Sequence, residues 1–305
     1  MSKLLRTMST DTAAHTARPF SRVLVALDGS PRSECSLPWA TRLAEGTKIL
    51  LLRVDTAGFA LSGDAVALAS RLEGEARAYL AKLARRVPGA ETRVVTGPAA
   101  ETILNVAAST RSDLVVIATH GASPVRRLLV GGTAEKLVHG ADSPLLVIPS
   151  WRESPTSPRL RRLLVPLDGS KASESIITLA GQVGLAHGAS IVLAHVLAKG
   201  VGRKGADYRS SLRRRAAEFS ASGIESWWVE RWGGAPETLG KIIQDEDIDL
   251  VAMSAHGYGA VKRMLLGSVT SRLIRMGHVP VLIGGRPRPA FERPGRTGHA
   301  RHALR

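Results

Sequence analysis

Two glycine-containing stretches are the parts of the sequence best suited to bind phosphate. They extend over residues 117–134 and 253–270. Each begins at the end of an apolar run that is typical of a buried parallel strand, and each ends where a helical pattern starts. A loop in that position offers unpaired backbone N–H groups and the positive end of a helix dipole to a ligand. We therefore predict two phosphate-binding loops.

An aspartate within a Leu-Asp-Gly-Ser turn is the second candidate binding group. Asp28 and Asp168 each end the first predicted strand of their half of the chain. A carboxylate there could accept a hydrogen bond from a ribose hydroxyl or join a Mg²⁺ ligand shell. The alternative is a structural turn, in which the carboxylate accepts from N–H groups of the following residues.

The sequence repeats itself, which predicts two domains of one fold. Residues 23–30 return at 163–170, and from Glu101 to Val147 the two halves match at a constant offset of 136 residues. A Pro/Ser-rich segment separates the halves. We expect a disordered N-terminal extension over 1–20, a first domain over 21–149, a linker over 150–160, a second domain over 161–285 and a basic disordered tail over 286–305.

Within each half the segments follow the order βαβαβαβαβ. The first half has predicted strands at 22–27, 48–54, 91–95, 113–118 and 145–149, with helices opening at Ser30-Pro31 and covering 64–86, 99–109 and 133–140. The second half has predicted strands at 162–167, 190–196, 225–231, 249–254 and 280–284, and predicted helices at 172–187, 206–222, 236–246 and 268–277. This alternation predicts a mostly parallel sheet with helices on both faces, and ligands of such sheets bind beyond the carboxyl ends of the strands.

Composition narrows the class of protein. No apolar run approaches the roughly 20 residues that cross a bilayer, and residues 1–20 carry no apolar signal segment. Cys35 is the only cysteine, so no intrachain disulfide forms, which suits a reducing compartment. We therefore expect a cytoplasmic protein without a membrane partner.

The net charge of +16 is distributed unevenly along the chain. Residues 286–305 contain six arginines and one glutamate. Such charge permits attraction to nucleic acid, but no aromatic platform or known nucleic-acid motif accompanies it. A solvated basic segment is the favoured interpretation.

The overall pattern resembles the universal stress protein family, whose nucleotide-binding members carry Gly-x2-Gly-x9-Gly-(Ser/Thr). The resemblance covers nearly all of 21–150 and 160–285. It implies two tandem flavodoxin-like or Rossmann-like α/β sandwiches of the adenine nucleotide alpha hydrolase type, each with a five-stranded parallel sheet that binds ATP, with or without Mg²⁺. The positions implied as nucleotide-binding are Ala26, Leu27, Asp28, Val54, Ala118, Gly121, Gly131, Gly132 and Thr133 in the first half, and Pro166, Leu167, Asp168, Val196, Met253, Ser254, Gly257, Gly267, Ser268 and Val269 in the second.

The match to the family pattern differs between the halves. The first glycine is replaced by Ala118 and by Ser254, and the closing hydroxyl is Ser268 in the second half but Gly132 in the first. The second half is therefore the better predicted site. The resemblance also implies that strand five pairs with its counterpart, either within one chain as a pseudo-dimer or in a homodimer.

Three functions remain open from the sequence. The first is an ATP-binding stress-response module that signals by nucleotide occupancy. The second is a slow ATPase using Asp168 and a metal, although neither loop ends in Gly-Lys-Ser/Thr and His120 and His256 have no nucleophile or second base at a readable spacing. The third is a nucleic-acid-associated scaffold that relies on the basic tail.

Overall fold

A computed structural model describes residues 18–56, 66–119, 132–150, 156–197, 204–255 and 267–285. The strands are β1 Arg22–Leu27, β2 Lys48–Asp55, β3 Glu91–Thr96, β4 Leu114–Ala118, β5 Leu145–Ile148, β6 Arg162–Pro166, β7 Ser190–Leu197, β8 Ser226–Trp232, β9 Leu250–Ser254 and β10 Val281–Gly284. The helices are α1 Ser36–Leu43, α2 Val66–Ala84, α3 Ala99–Ser109, α4 Gly132–Gly140, α5 Lys171–Glu174, α6 Ile177–His187, α7 Lys204–Ala221, α8 Ala235–Asp245 and α9 Ser268–Met276.

The strands of both halves join into one ten-stranded sheet. Its order is β3-β2-β1-β4-β5-β10-β9-β6-β7-β8. Neighbouring strands within each half are parallel, whereas β5 and β10 pair antiparallel, with Leu146 opposite Leu282. The predicted fold class is confirmed, and so is the predicted pairing of strand five with its counterpart within one chain. Because the central pair is antiparallel, the carboxyl ends of the first half lie at the opposite edge of the sheet from those of the second.

Helices cover both faces of the sheet, which explains why the central strands are apolar throughout. On one face, Val25 of β1 packs in the same buried cluster as Leu37 of α1 and Leu80 of α2. On the other face, Leu24 packs with Ile103 of α3 and with α4. Among the described helices, none combines the length and apolarity needed to cross a membrane.

Two predicted helix boundaries are wrong. The first helix does not open at Ser30-Pro31: a 3₁₀-helix covers Ser33–Cys35, and α1 begins at Ser36. The carbonyl of Ser30 accepts from the N–H and the hydroxyl of Ser33, which closes a short i to i+3 turn there. In the second half Ser170 does cap a helix, since its hydroxyl accepts from the Ser173 N–H at 3.0 Å.

The predicted continuous helix over 172–187 is also interrupted. The structure divides it into α5 and α6. At the break, both the N–H and the hydroxyl of Ser175 donate to the carbonyl of Ala172. These i to i+3 bonds end α5 after one turn, and α6 begins two residues later.

Candidate functional site

Each half has one point at which the order of strands reverses. The first strand of the half lies between the second and the fourth: β1 pairs with β2 and β4, and β6 pairs with β7 and β9. In open parallel sheets, a crevice forms at the carboxyl ends of the strands on either side of such a switch point. In each half, the aspartate that follows the first strand borders this crevice, and so do the described flanks of the predicted loop that follows the fourth strand.

The two aspartates hold their own turns together. In the first half, Asp28 Oδ1 accepts from the N–H of Ser30 at 2.9 Å and from its hydroxyl at 2.6 Å. In the second half, Asp168 Oδ1 accepts from the N–H of Ser170 at 3.0 Å. The structural alternative stated above is therefore observed. Both side chains are also exposed at the edge of the sheet, where a ligand can reach them.

A glycine is required at the tip of each aspartate turn. Gly29 has φ of 86° and Gly169 has φ of 84°, in the left-handed region that other residues rarely adopt. A Cβ atom at Gly29 would also collide with the guanidinium of Arg53, and one at Gly169 would lie 3.2 Å from the ring of Tyr208. The Leu-Asp-Gly-Ser sequence thus fixes the backbone that presents the carboxylate.

Four of the predicted nucleotide-binding positions, two in each half, form a partly exposed apolar surface beside the switch point. Ala26, Val54 and Val196 are half-buried and pack against the buried cluster that contains α3, α4, α8 and α9. Pro166 is half-buried too, and strand alternation turns it to the same face. Leu27 and Leu167 are both 3% exposed on the opposite face, so their side chains are not available to a ligand.

In the first half, the structure describes both ends of the predicted loop but not its centre. Ala118 is half-buried at the end of β4, and the N–H of the next residue, Thr119, donates to the Ile148 carbonyl at 2.9 Å. Gly132 and Thr133 form the exposed first turn of α4. The predicted loop positions His120, Gly121 and Gly131 lie outside the described residues.

In the second half, hydrogen bonds bring the two ends of the loop together. The N–H of Gly267 donates to the carbonyl of Ala255 at 3.0 Å. The Thr270 hydroxyl, 2% exposed, donates to the carbonyl of Ser254 at 3.3 Å. The end of β9 is therefore joined to the start of α9. His256 and Gly257 lie outside the described residues.

The start of α9 is available to an anion. Gly267 is its N-cap residue, Ser268 is exposed and Val269 is half-buried. The first N–H groups of an α-helix have no acceptor within the helix, and they lie at the positive end of its dipole. Met253, 7% exposed, packs beneath the site in the apolar cluster. The sequence analysis missed Thr270, whose signal was a hydroxyl residue three places after the loop glycine.

The comparisons with known proteins agree with this architecture. The model of the "Universal stress protein family" matches residues 19–149 and 159–283.

The chain belongs to the universal stress protein family.

A universal stress protein of Mycobacterium tuberculosis is 26% identical over 286 residues, which cover 86% of this chain and 96% of that protein. One from Mycolicibacterium smegmatis is 26% identical over 290 residues, which cover 86% of this chain and 96% of that protein. The crystal structure of a universal stress protein from Archaeoglobus fulgidus aligns with a TM-score of 0.70 at 23% identity, covering 87% of this chain and 98% of that one. The last of these supports the fold alone.

The two sites differ in the group that covers the aspartate turn. In the first half of this universal stress protein, the guanidinium of Arg53 lies against Gly29 and 5.5 Å from the centroid of the Tyr79 ring. In the second half, His195 occupies the corresponding strand position. Its Nδ1 is 2.7 Å from the Leu167 carbonyl oxygen. The first site thus carries a permanent positive charge where the second has an imidazole.

An aromatic and ionic group supports the turn of the second half. The rings of His195 and Tyr208 have centroids 4.6 Å apart, and the Tyr208 hydroxyl is 3.4 Å from Glu174 Oε1. Glu174 pairs with Arg215 at 2.6 Å. Burial, and then the charge of Glu174, raise the pKa of Tyr208, so its phenol stays protonated at neutral pH. This group could not be predicted from the sequence because its members come from three separate elements, β7, α5 and α7.

Among the described residues, no group of three or more His, Cys, Asp and Glu side chains is arranged to hold a metal ion.

Proposed function

We propose that this universal stress protein binds an adenine nucleotide, with ATP as the first candidate, in each of its two halves. The observation that carries the proposal is the convergence, twice in one chain, of an exposed aspartate turn and the flanks of a glycine loop at a switch point of the sheet. The protein would signal by whether nucleotide is bound rather than by turning it over. We place the protein in the cytoplasm, a reducing compartment that suits a chain with a single cysteine.

The chemistry of each crevice matches the parts of such a ligand. The carboxylate of Asp28 or Asp168 can accept from a ribose hydroxyl, since an ionised carboxylate offers about four acceptor sites on its two oxygens. Val54 or Val196 offers an apolar surface for the base, and the starts of α4 and α9 offer N–H groups to phosphate. Mg²⁺ would enter with the phosphates, and Asp28 or Asp168 is the nearest predicted oxygen ligand.

The second half is proposed as the tighter site. Its loop ends are joined by the Gly267–Ala255 hydrogen bond, and Ser268 adds a hydroxyl at the helix start, where the first half has Gly132. One hydroxyl contact contributes on the order of 1 kcal/mol, which corresponds to an affinity difference of about five-fold.

Calorimetry with ATP, with and without Mg²⁺, tests the proposal. We expect saturable binding and a weaker second-half site in the double variant Gly267→Val, Ser268→Val. Gly74→Val is a matched control, because Gly74 lies on an exposed face of α2 with nothing near its Cβ position. Unchanged binding in the double variant contradicts the site assignment.

The same preparation separates binding from hydrolysis. If the protein releases phosphate over multiple turnovers, above a buffer control, and Asp168→Ala abolishes this release, the protein is an ATPase rather than a binding module. Release at the buffer rate, together with saturable binding, supports signalling by occupancy.

A further inference from the structure

We propose that residues 286–294, which follow β10 in the sequence, dock on the outer face of α6 and in the cavity beside it. The inference concerns the junction between the two halves and does not depend on nucleotide binding. It rests on four observations: the composition of α6, the cavity, the point where the chain leaves β10, and the behaviour of the linker in the first half.

The outer face of α6 lacks the charge that a solvated helix normally carries. From Ser175 to Ala186 the sequence contains no charged residue. Leu185 is 41% exposed, and Thr178 and Gln182 are exposed on the same side. The corresponding positions of α1 and the residues after it, at an offset of 140, hold Arg42 and Glu45, which form an ion pair at 3.0 Å. Because this face is uncharged and partly apolar, another segment can cover it without desolvating a charged side chain.

A cavity of about 360 Å³ lies beside this face, at the junction of the halves. The loop 142–144 of the first half forms one side, and Ile176 and Leu179 of the second half form another. The described residues lining the cavity include the carboxylates Asp113 and Asp142 but no lysine, arginine or histidine. The cavity therefore favours a cationic occupant with some apolar surface.

Of these two carboxylates, Asp142 is the one available to that occupant. Asp113 already accepts from the N–H and hydroxyl of Ser21 and from the N–H of Arg22, at 2.5–3.0 Å. The Asp142 side chain is exposed at the cavity.

The chain leaves β10 at the mouth of this cavity. Gly285 rests on the backbone of the 142–144 turn so closely that a Cβ atom would lie 2.8 Å from the nitrogen of Pro144. The residues that follow are Arg286-Pro287-Arg288-Pro289-Ala290-Phe291. They combine cationic groups with apolar ones, as the cavity and the helix face require. Five extended residues reach about 17 Å, and an 11-residue helix such as α6 is about 16 Å long.

The first half contains a precedent for this arrangement. After β5, the linker residues Thr156, Ser157 and Pro158 line a second cavity together with Pro38, Thr41 and Arg42 of α1. The 136-residue offset of the repeat pairs Pro158 with Pro294. The chain that leaves β5 thus covers α1, and by the internal two-fold relation the chain that leaves β10 is expected to cover α6.

Photo-crosslinking in the full chain tests the proposal. With p-benzoylphenylalanine at position 291, we expect crosslinks to residues 175–186 or 142–144 of the same chain. Asp142→Arg should lower their yield about two- to five-fold, the effect of losing one exposed ion pair. Asp245→Arg, at an exposed position on α8, is the matched control and should leave the yield unchanged.

If Asp142→Arg perturbs folding, exchanging the charges on the two sides of the proposed contact provides a second test. Adding Arg286→Asp and Arg288→Asp to the Asp142→Arg variant should restore the crosslinks. Hydrogen exchange of α6 should accelerate when Arg286 and Arg288 alone are replaced by aspartate. Crosslinks to a second copy of the chain, or to other surfaces, overturn the proposal. So does a yield insensitive to both the single variant and the swap.

Discussion

Replacing Asp168 separates its role in the turn from its proposed role in nucleotide binding. In Asp168→Ala, the Ser170 N–H loses its bond to the carboxylate, whereas Asp28→Ala removes the bonds from both the N–H and the hydroxyl of Ser30. A hydrogen bond to a charged group contributes about 1.5–3 kcal/mol, and exposure places these bonds near the lower limit. We expect a loss of about 1.5 kcal/mol for Asp168→Ala and about twice that for Asp28→Ala.

The asparagine variants isolate the charge. Asp168→Asn keeps an oxygen that can accept from the Ser170 N–H, so the free energy of unfolding of this variant should fall by less than about 0.5 kcal/mol. A ribose bond to a neutral acceptor is weaker than one to a carboxylate by about 1 kcal/mol, which lowers ATP affinity about five-fold. Urea denaturation measures the first effect, and calorimetric titration with ATP measures the second.

The combination of results decides between the two roles. Binding that weakens in Asp168→Asn while stability holds supports contact between the carboxylate and the ligand. If Asp168→Ala destabilises the protein but both variants bind ATP as tightly as the unchanged chain, Asp168 serves only its turn, and the proposed ribose contact is refuted.

Three further predictions concern stability and reactivity. Leu282→Ala, at a fully buried position of the antiparallel junction, should cost about 2–5 kcal/mol in urea denaturation, whereas the same change at the partly exposed Leu185 should cost far less. Partial burial raises the pKa of Cys35 to about 12, so an alkylating reagent should modify this half-buried thiol at neutral pH far more slowly in the native protein than in the unfolded chain; equal rates in the two states would contradict this. The pKa of Tyr208 is raised above its unfolded value, so its contribution to stability is complete below about pH 10 and is lost as pH rises further. An ultraviolet titration in which Tyr208 ionises at the ordinary value, compared with Tyr208→Phe, would refute that assignment.

Much of the fold could be predicted because its strands are short apolar runs repeated in both halves. The runs at β4 and β9 are buried on both faces, so their composition alone indicates parallel central strands. The resemblance to the universal stress protein family then implied the pairing of β5 with β10, which the structure shows. The start of α1 and the break between α5 and α6 could not be predicted from the sequence. At both places a serine hydroxyl, of Ser33 or Ser175, donates to the carbonyl three residues earlier and closes a short turn instead of a continuous α-helix.

The site was less predictable than the fold. The aspartates and the loop glycines are visible in the sequence as motifs, and the positions of the aspartates at the switch points follow from strand order. Arg53, His195 and Tyr208 carry no local signal, because their relation to Gly29 and Gly169 arises only when separate strands and helices pack together.

The most direct test of the central claim is to measure adenine nucleotide bound per chain. The purified protein would be titrated with ATP by calorimetry, and the nucleotide released on denaturation would be quantified. The account predicts saturable binding of up to two nucleotides per chain, with the tighter site weakened in Gly267→Val, Ser268→Val. No heat of binding with ATP, either alone or with Mg²⁺, and no released nucleotide would contradict it.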